Sequence, residues 1–98
     1  MPPAQPGRDE YADLELIAPE LRVRSKRPGD RFIPLGMSGA KKLQDFFVDE
    51  RVPREQRDRV PLVTSGDAIV WVVGMRLDER FKVTPSTTRA VRLQFVPE

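Results

Sequence analysis

Short runs in which apolar and polar residues alternate recur along the chain. Residues 13–16 (Asp13, Leu14, Glu15, Leu16) and residues 21–24 (Leu21, Arg22, Val23, Arg24) both have the two-residue period of a half-buried strand. The second run places Arg22, Arg24 and Lys26 on one face. Arg27-Pro28-Gly29-Asp30 follows, with Pro and Gly suited to the two central positions of a type II turn. Residues 31–34 predict a short strand beyond it.

The period then changes. Over residues 40–50 the apolar positions Leu43, Phe46 and Phe47, with the small Ala40, fall on one side of a helix, and Ser38 is its expected N-cap. Pro53 suits the first turn of a second short helix over residues 54–59, and Pro61 ends it. Residues 61–64 and 68–73, separated by Ser65-Gly66-Asp67, predict a hairpin whose second strand is apolar on both faces and therefore central. Residues 75–87 read as polar and irregular, and residues 90–96 alternate again as a closing strand. Residues 1–12, with Pro2, Pro3, Pro6 and Gly7, read as a linker or an appended terminus, which leaves residues 13–98 as the folded unit. The sum is an α+β domain, small and strand-rich, with two short helices.

A chain of 98 residues, 39% apolar and 33% charged, is long enough for one modest core and too apolar for a disordered tail. Its longest apolar run, residues 68–73, falls far short of the roughly 20 residues that span a bilayer, so no membrane partner is expected. Cysteine and histidine are both absent, which removes thiol nucleophiles, imidazole bases, disulfides and the usual zinc sites; no metal site is expected, and a cytoplasmic location fits. The net charge of +2 conceals a segregation. Residues 1–21 hold one basic residue against five acidic ones, whereas residues 22–59 hold eleven against six. The middle is the candidate anion-binding region.

Without histidine, general-base chemistry would fall to carboxylates. Asp30, Asp45, Asp49, Glu50 and Asp58 lie among arginines in a turn and on helices, where such groups are expected to be solvated partners, and no paired-carboxylate site is legible. Trp71, Phe46 and Phe47 sit in apolar surroundings and are expected in the core, which argues against an aromatic platform for single strands. Gly36-Met37-Ser38-Gly39 leads into Lys41 and Lys42 but lacks the GxxxxGK[ST] spacing of a phosphate loop, and it lacks the preceding helix of a KH domain. Two readings stay open for this loop. Exposed amides and two lysines at a helix start suit a backbone phosphate of RNA; alternatively the lysines are solvated and one pairs with Asp45. Around it stand Arg22, Arg24, Lys26, Arg27 and Arg31, then Arg51, Arg54, Arg57 and Arg59. The outer group, beside Glu50, Glu55 and Asp58, reads as an ordinary salt-bridged surface.

Residues 23–74 resemble the C-terminal domain of tRNA(Ile)-lysidine synthetase. The resemblance is carried by Arg24, the run from Arg27 through Pro28, Gly29 and Asp30 to Arg31, Gly36, Gly39, Lys41-Lys42-Leu43, Pro53, Arg57-Asp58, Pro61 and the strand Ile69-Val70-Trp71 leading to Gly74. It implies a small domain similar to one in the β chain of phenylalanyl-tRNA synthetase, which helps to hold isoleucine tRNA near its acceptor stem. Carried over position by position, Arg27, Arg31, Lys41, Lys42 and Arg57 become the candidate RNA contacts, and Pro28, Gly29, Gly36 and Gly39 the residues that shape their loops. The parent ligase uses ATP and magnesium to join lysine to the wobble cytidine, in an N-terminal adenylating domain marked by Ser-Gly-Gly-x-Asp-Ser. No such string occurs here, so no catalytic residue and no cofactor is expected in this chain. Many relatives carry a third basic residue after Lys-Lys-Leu, where this chain has Gln44. The rival reading is a structural module that packs on the catalytic domains with little RNA contact; an independent enzyme has only scattered carboxylates behind it. The resemblance leaves homodimerisation open.

Overall fold

The computed structural model describes residues 9–17 and 19–96. In chain order the elements are β1 (Asp9–Asp13), β2 (Leu21–Arg24), β3 (Arg31–Phe32), β4 (Lys41–Lys42), α1 (Leu43–Asp49), α2 (Arg54–Arg57), β5 (Leu62–Ser65), β6 (Ala68–Val72), β7 (Arg76–Leu77) and β8 (Ala90–Gln94), with 3-10 turns at Leu14–Leu16 and Glu79–Phe81. Strands β2, β5, β6 and β7 form one antiparallel sheet in that order, β1 pairs with β8, and β3 pairs with β4. Strand β6 is thus central, as its two apolar faces predict.

The hairpin β5–β6 turns through Gly66, at φ +58°, and is kinked by a register shift. Val63 lies opposite Trp71 but Thr64 lies opposite Ile69, so Val70 is an extra residue in β6. Such a bulge turns two successive side chains toward one face. Val70 and Trp71 accordingly share a core cluster with Val63, Leu77, Phe81 and Ala12, while Leu62, Ile69 and Val72 belong to a second cluster with Phe32, Leu43, Phe46 and Phe47. The sheet is therefore covered on one side by α1 and the β3–β4 pair, and on the other by β1 and β8. Each fully buried large apolar side chain contributes about 1.5–3 kcal/mol, and Phe32 meets Phe46 edge-on at 5.0 Å and 88°. Trp71, Phe46 and Phe47 are core residues.

Four sequence expectations require correction. The linker expected over residues 1–12 runs too far: residues 9–12 belong to β1, and Ala12 is fully buried. Residues 1–8 lie outside the described residues. The strand expected at residues 13–16 is instead the end of β1 and a 3-10 turn, because the Asp13 carboxylate accepts the Glu15 N–H at 2.9 Å and caps it. The helix expected from residue 40 starts at Leu43; Lys41 and Lys42 precede it in extended β4, and Ser38 caps nothing. Residues 75–87, expected to be irregular, carry β7 and a 3-10 turn organised by Asp78, whose side chain is 0% exposed. That carboxylate accepts from Ile33 N at 2.9 Å, Arg80 N at 2.8 Å, and Arg80 Nε and Nη2 at 3.0 and 2.9 Å.

Helix α1 ends in a Schellman turn. Arg51 N–H donates to Val48 O at 3.0 Å and Val52 N–H to Phe47 O at 2.9 Å, with Arg51 itself at φ +58°. The chain then reverses into α2, which is shorter than the 54–59 expected. Among the described residues, no helix is long and apolar enough to cross a membrane.

Candidate functional site

Local sequence builds the site from three pieces. The first is the turn at residues 27–30. Pro28 fixes one central position and Gly29, at φ +84°, takes the other, which only glycine enters without strain; Asp30 N–H closes the turn on Arg27 O at 3.2 Å. The second is the junction of β4 and α1, where Lys42 leads into Leu43, Gln44 and Phe47. The third is α2, which Pro53 starts and which carries Arg54 and Arg57, followed by Asp58.

These pieces enclose a cavity of about 290 Å³ whose lining includes Lys26, Arg27, Lys42, Arg54 and Arg57. Two carboxylates also line it, and both are engaged. Asp58 lies 3.3 Å from Lys26. Asp30 receives both Nη groups of Arg24 at 2.9 Å and the Arg27 N–H at 2.8 Å. Burial pushes the Asp30 carboxyl upward, but the Arg24 hydrogen bonds, the Arg27 N–H and the charges of both arginines outweigh it and hold the group below the usual carboxylate range. Arg24 is held above its already high value, chiefly by the same hydrogen bond. Among the described residues, Arg27, Lys42, Arg54 and Arg57 form no ion pair with a carboxylate. Arg57 is oriented through Nε, which donates to Val52 O at 3.0 Å and leaves both Nη groups for another acceptor.

The structure thus brings together three of the five expected contacts, Arg27, Lys42 and Arg57, with Pro28 and Gly29 shaping their turn. Arg31 lies across the β3–β4 ladder from Lys42, exposed and outside the cavity lining. Lys41 points to the other face of that pair and is engaged by Asp49 on α1, not by Asp45. The loop of Gly36 and Gly39 is also elsewhere. Gly36, at φ +91°, gives its N–H to Glu79 Oε1 at 2.9 Å, and Gly39 is not in the left-handed region.

The basic groups divide otherwise than expected. In the inner group Arg22, Arg24 and Lys26 pair with Glu20, Asp30 and Asp58, while Arg27 and Arg31 form no ion pair among the described residues. In the outer group, read as salt-bridged surface, Arg54 and Arg57 form no ion pair among the described residues; Glu50 goes to Arg76 at 3.2 Å and Asp58 to Lys26. Asp30, expected to be solvated, is 12% exposed in its side chain. The overlooked signal was the Arg-x-x-x-x-x-Asp spacing across a Pro-Gly turn, which brings Arg24 and Asp30 side by side. Among the described residues, no cluster of three His, Cys, Asp or Glu side chains is placed to hold a metal.

Fold and site together define a small α+β domain that offers a cationic cavity between a tight turn and two short helices. Residues 21–95 match the family described as the TilS substrate C-terminal domain. The chain is 48% identical over 89 residues to tRNA(Ile)-lysidine synthase of Caldanaerobacter subterraneus subsp. tengcongensis, an alignment that covers 91% of this chain and 19% of the relative. It is 47% identical over 93 residues to tRNA(Ile)-lysidine synthase of Symbiobacterium thermophilum, covering 95% and 19%. A crystal structure of a TilS C-terminal domain superposes with a TM-score of 0.79 at 32% identity, covering 94% of this chain and 72% of that one. The chain belongs to the TilS substrate C-terminal domain family. It spans about a fifth of the length of the curated relatives it matches.

Proposed function

We propose that this chain is a non-catalytic, tRNA-holding domain of a tRNA(Ile)-lysidine synthase, gripping the phosphate backbone of isoleucine tRNA near its acceptor stem while a separate adenylating domain, with ATP and magnesium, performs the ligation in the cytoplasm. The observation that carries this reading is the cavity lined by Arg27, Lys42, Arg54 and Arg57, none of which forms an ion pair among the described residues. Cations that line one cavity repel one another, and an anion that enters relieves the repulsion. Arginine forks match phosphate oxygens in pairs, and duplex RNA is recognised mainly through shape and phosphate position. The relatives, tRNA(Ile)-lysidine synthases, point to tRNA; the charge and shape of the cavity point to phosphate.

A structural module that packs on neighbouring domains is the second reading. It draws on Arg24, Lys26 and Lys41, three basic residues consumed by internal ion pairs. It leaves the four cavity cations without a role.

Titration of isoleucine tRNA at several salt concentrations separates the two. Each phosphate contact contributes roughly 0.7–0.9 to the slope of log K against log salt. Replacing Lys42 and Arg57 together by Ala should flatten the slope by roughly 1.5 and weaken binding alike for different tRNA sequences. Lys41→Ala should change it less, because Asp49 already holds that ammonium. An unchanged slope in a folded Lys42/Arg57 double variant would reject the tRNA-holding reading in favour of the packing module.

A further inference from the structure

The cavity contains a carboxylate that contributes no attraction for an anion, and its bonding suggests why it is there. Asp30 is joined to both sides of the site. Its Oδ2 and Oδ1 accept the two Nη groups of Arg24 on β2, each at 2.9 Å, and Oδ2 also accepts the Arg27 N–H at 2.8 Å. Its backbone carbonyl accepts the N–H of Leu43, the first residue of α1, at 2.9 Å, and its own N–H closes the turn at 3.2 Å. One residue therefore fixes the turn that carries Arg27 against the helix that follows Lys42. Arg24 is in turn anchored by the β2–β5 ladder, where it lies opposite Leu62, a fully buried residue. The chain of support runs from the sheet through Arg24 and Asp30 to the cavity wall.

We infer that Asp30 and Arg24 form a positioning pair for the anion-binding cavity: they touch no phosphate but hold Arg27 at the spacing from Lys42 that a phosphate requires. The inference rests on the cavity reading above. Charge alone gives the opposite expectation, because removing a carboxylate from a cationic site should strengthen anion binding. The sign of the effect is therefore diagnostic.

The test is titration of labelled isoleucine tRNA transcript at several salt concentrations with the chain and its variants Asp30→Asn, Arg24→Lys, Arg27→Ala and Arg27→Ala/Asp30→Asn. Unfolding curves show which variants remain folded. Asp30→Asn should weaken binding about tenfold to a hundredfold, as loss of one charged hydrogen bond does, and lower the salt slope by roughly 0.7–0.9 as Arg27→Ala does. Arg24→Lys keeps the net charge but cannot fork onto both carboxylate oxygens, and it should weaken binding in the same direction. It carries the test if Asp30→Asn does not fold. The double variant should bind no more weakly than either single, because the two substitutions remove the same contact. Binding by Asp30→Asn that equals or exceeds wild type, or additive losses in the double variant, would overturn the positioning role while Arg27→Ala still weakens binding. If Arg27→Ala and the Lys42/Arg57 variant also bind like wild type, the cavity reading itself fails and takes this inference with it.

Discussion

At the scale of single residues, the charged groups that matter are those whose partners are fixed by the backbone. Asp30 has a folded-state pKa below its ordinary value. A carboxyl lowered in this way contributes stability that is fully present above its unfolded pKa, about 4, and is lost as pH falls through the folded value. Asp30→Asn should therefore lower stability by about 2 kcal/mol at neutral pH, with the gap from wild type closing below about pH 4. Urea midpoints at pH 7 and pH 3 check this; the gap should be smaller at pH 3, and a gap of the same size at both would mean that the side chain's shape, not its charge, is what stabilises. Glycines differ in the same residue-specific way. A side chain at Gly36, φ +91°, would meet open space but a strained backbone, whereas Gly39 has open space and no such φ. Gly36→Ala should cost about 1–2 kcal/mol, and Gly39→Ala should be neutral or add up to about 1 kcal/mol, measured as shifts in thermal midpoint. Equal losses at both positions would contradict the assigned backbone conformations.

At the scale of elements, what was legible in the sequence was what is local. The alternation of β8, the Gly66 hairpin, the α1 stripe of Leu43, Phe46 and Phe47, and the Pro28-Gly29 turn all encode themselves within a few residues; β2 is a strand as its alternation predicts, but Leu21 and Val23 on it are exposed rather than half-buried. The missed features depend on distant partners. Asp78 looks like one more polar residue in an irregular stretch, yet the Ile33 N–H and the Arg80 guanidinium let it sit buried. Lys41 and Lys42 follow two glycines and precede an apolar helix, but pairing with Arg31 and Phe32 keeps them extended and moves the helix start to Leu43. The candidate site was legible by residue type and only partly by partner. Arg27, Lys42 and Arg57 meet in one cavity; Arg31 lies outside the lining, and Lys41 is drawn to Asp49 on α1. Helix α1 also carries a correctable fault. Arg51 occupies the left-handed position of its Schellman turn, where glycine is preferred. Arg51→Gly removes that strain but gains unfolded-chain entropy, so the net stabilisation should be at most about 1 kcal/mol. A lower denaturant midpoint would show that the Arg51 side chain stabilises the turn in another way.

At the scale of the whole molecule, the β1–β8 pair ties the two ends of the described chain together, Asp9 opposite Gln94. Thr87 adds a hydrogen bond to Asp13 at 2.8 Å, and Ala12 is buried in the cluster behind the sheet. Removing residues 1–13 should destabilise the domain by about 2–4 kcal/mol, judged from the cross-strand pairs lost, and leave β8 amides exchanging freely while β5–β6 amides stay protected. Unchanged protection in β8 would mean that this strand stands without its partner. The pairing also sets an order of events during synthesis. Strand β1 is synthesised about 80 residues before its partner β8, so at 5–20 residues per second it waits on the order of ten seconds unpaired. The hairpin β5–β6 and the α1 cluster can assemble in that interval, since their contacts are nearer in sequence. Closure by β1 is then the final step, and weakening it should hasten unfolding more than it slows folding.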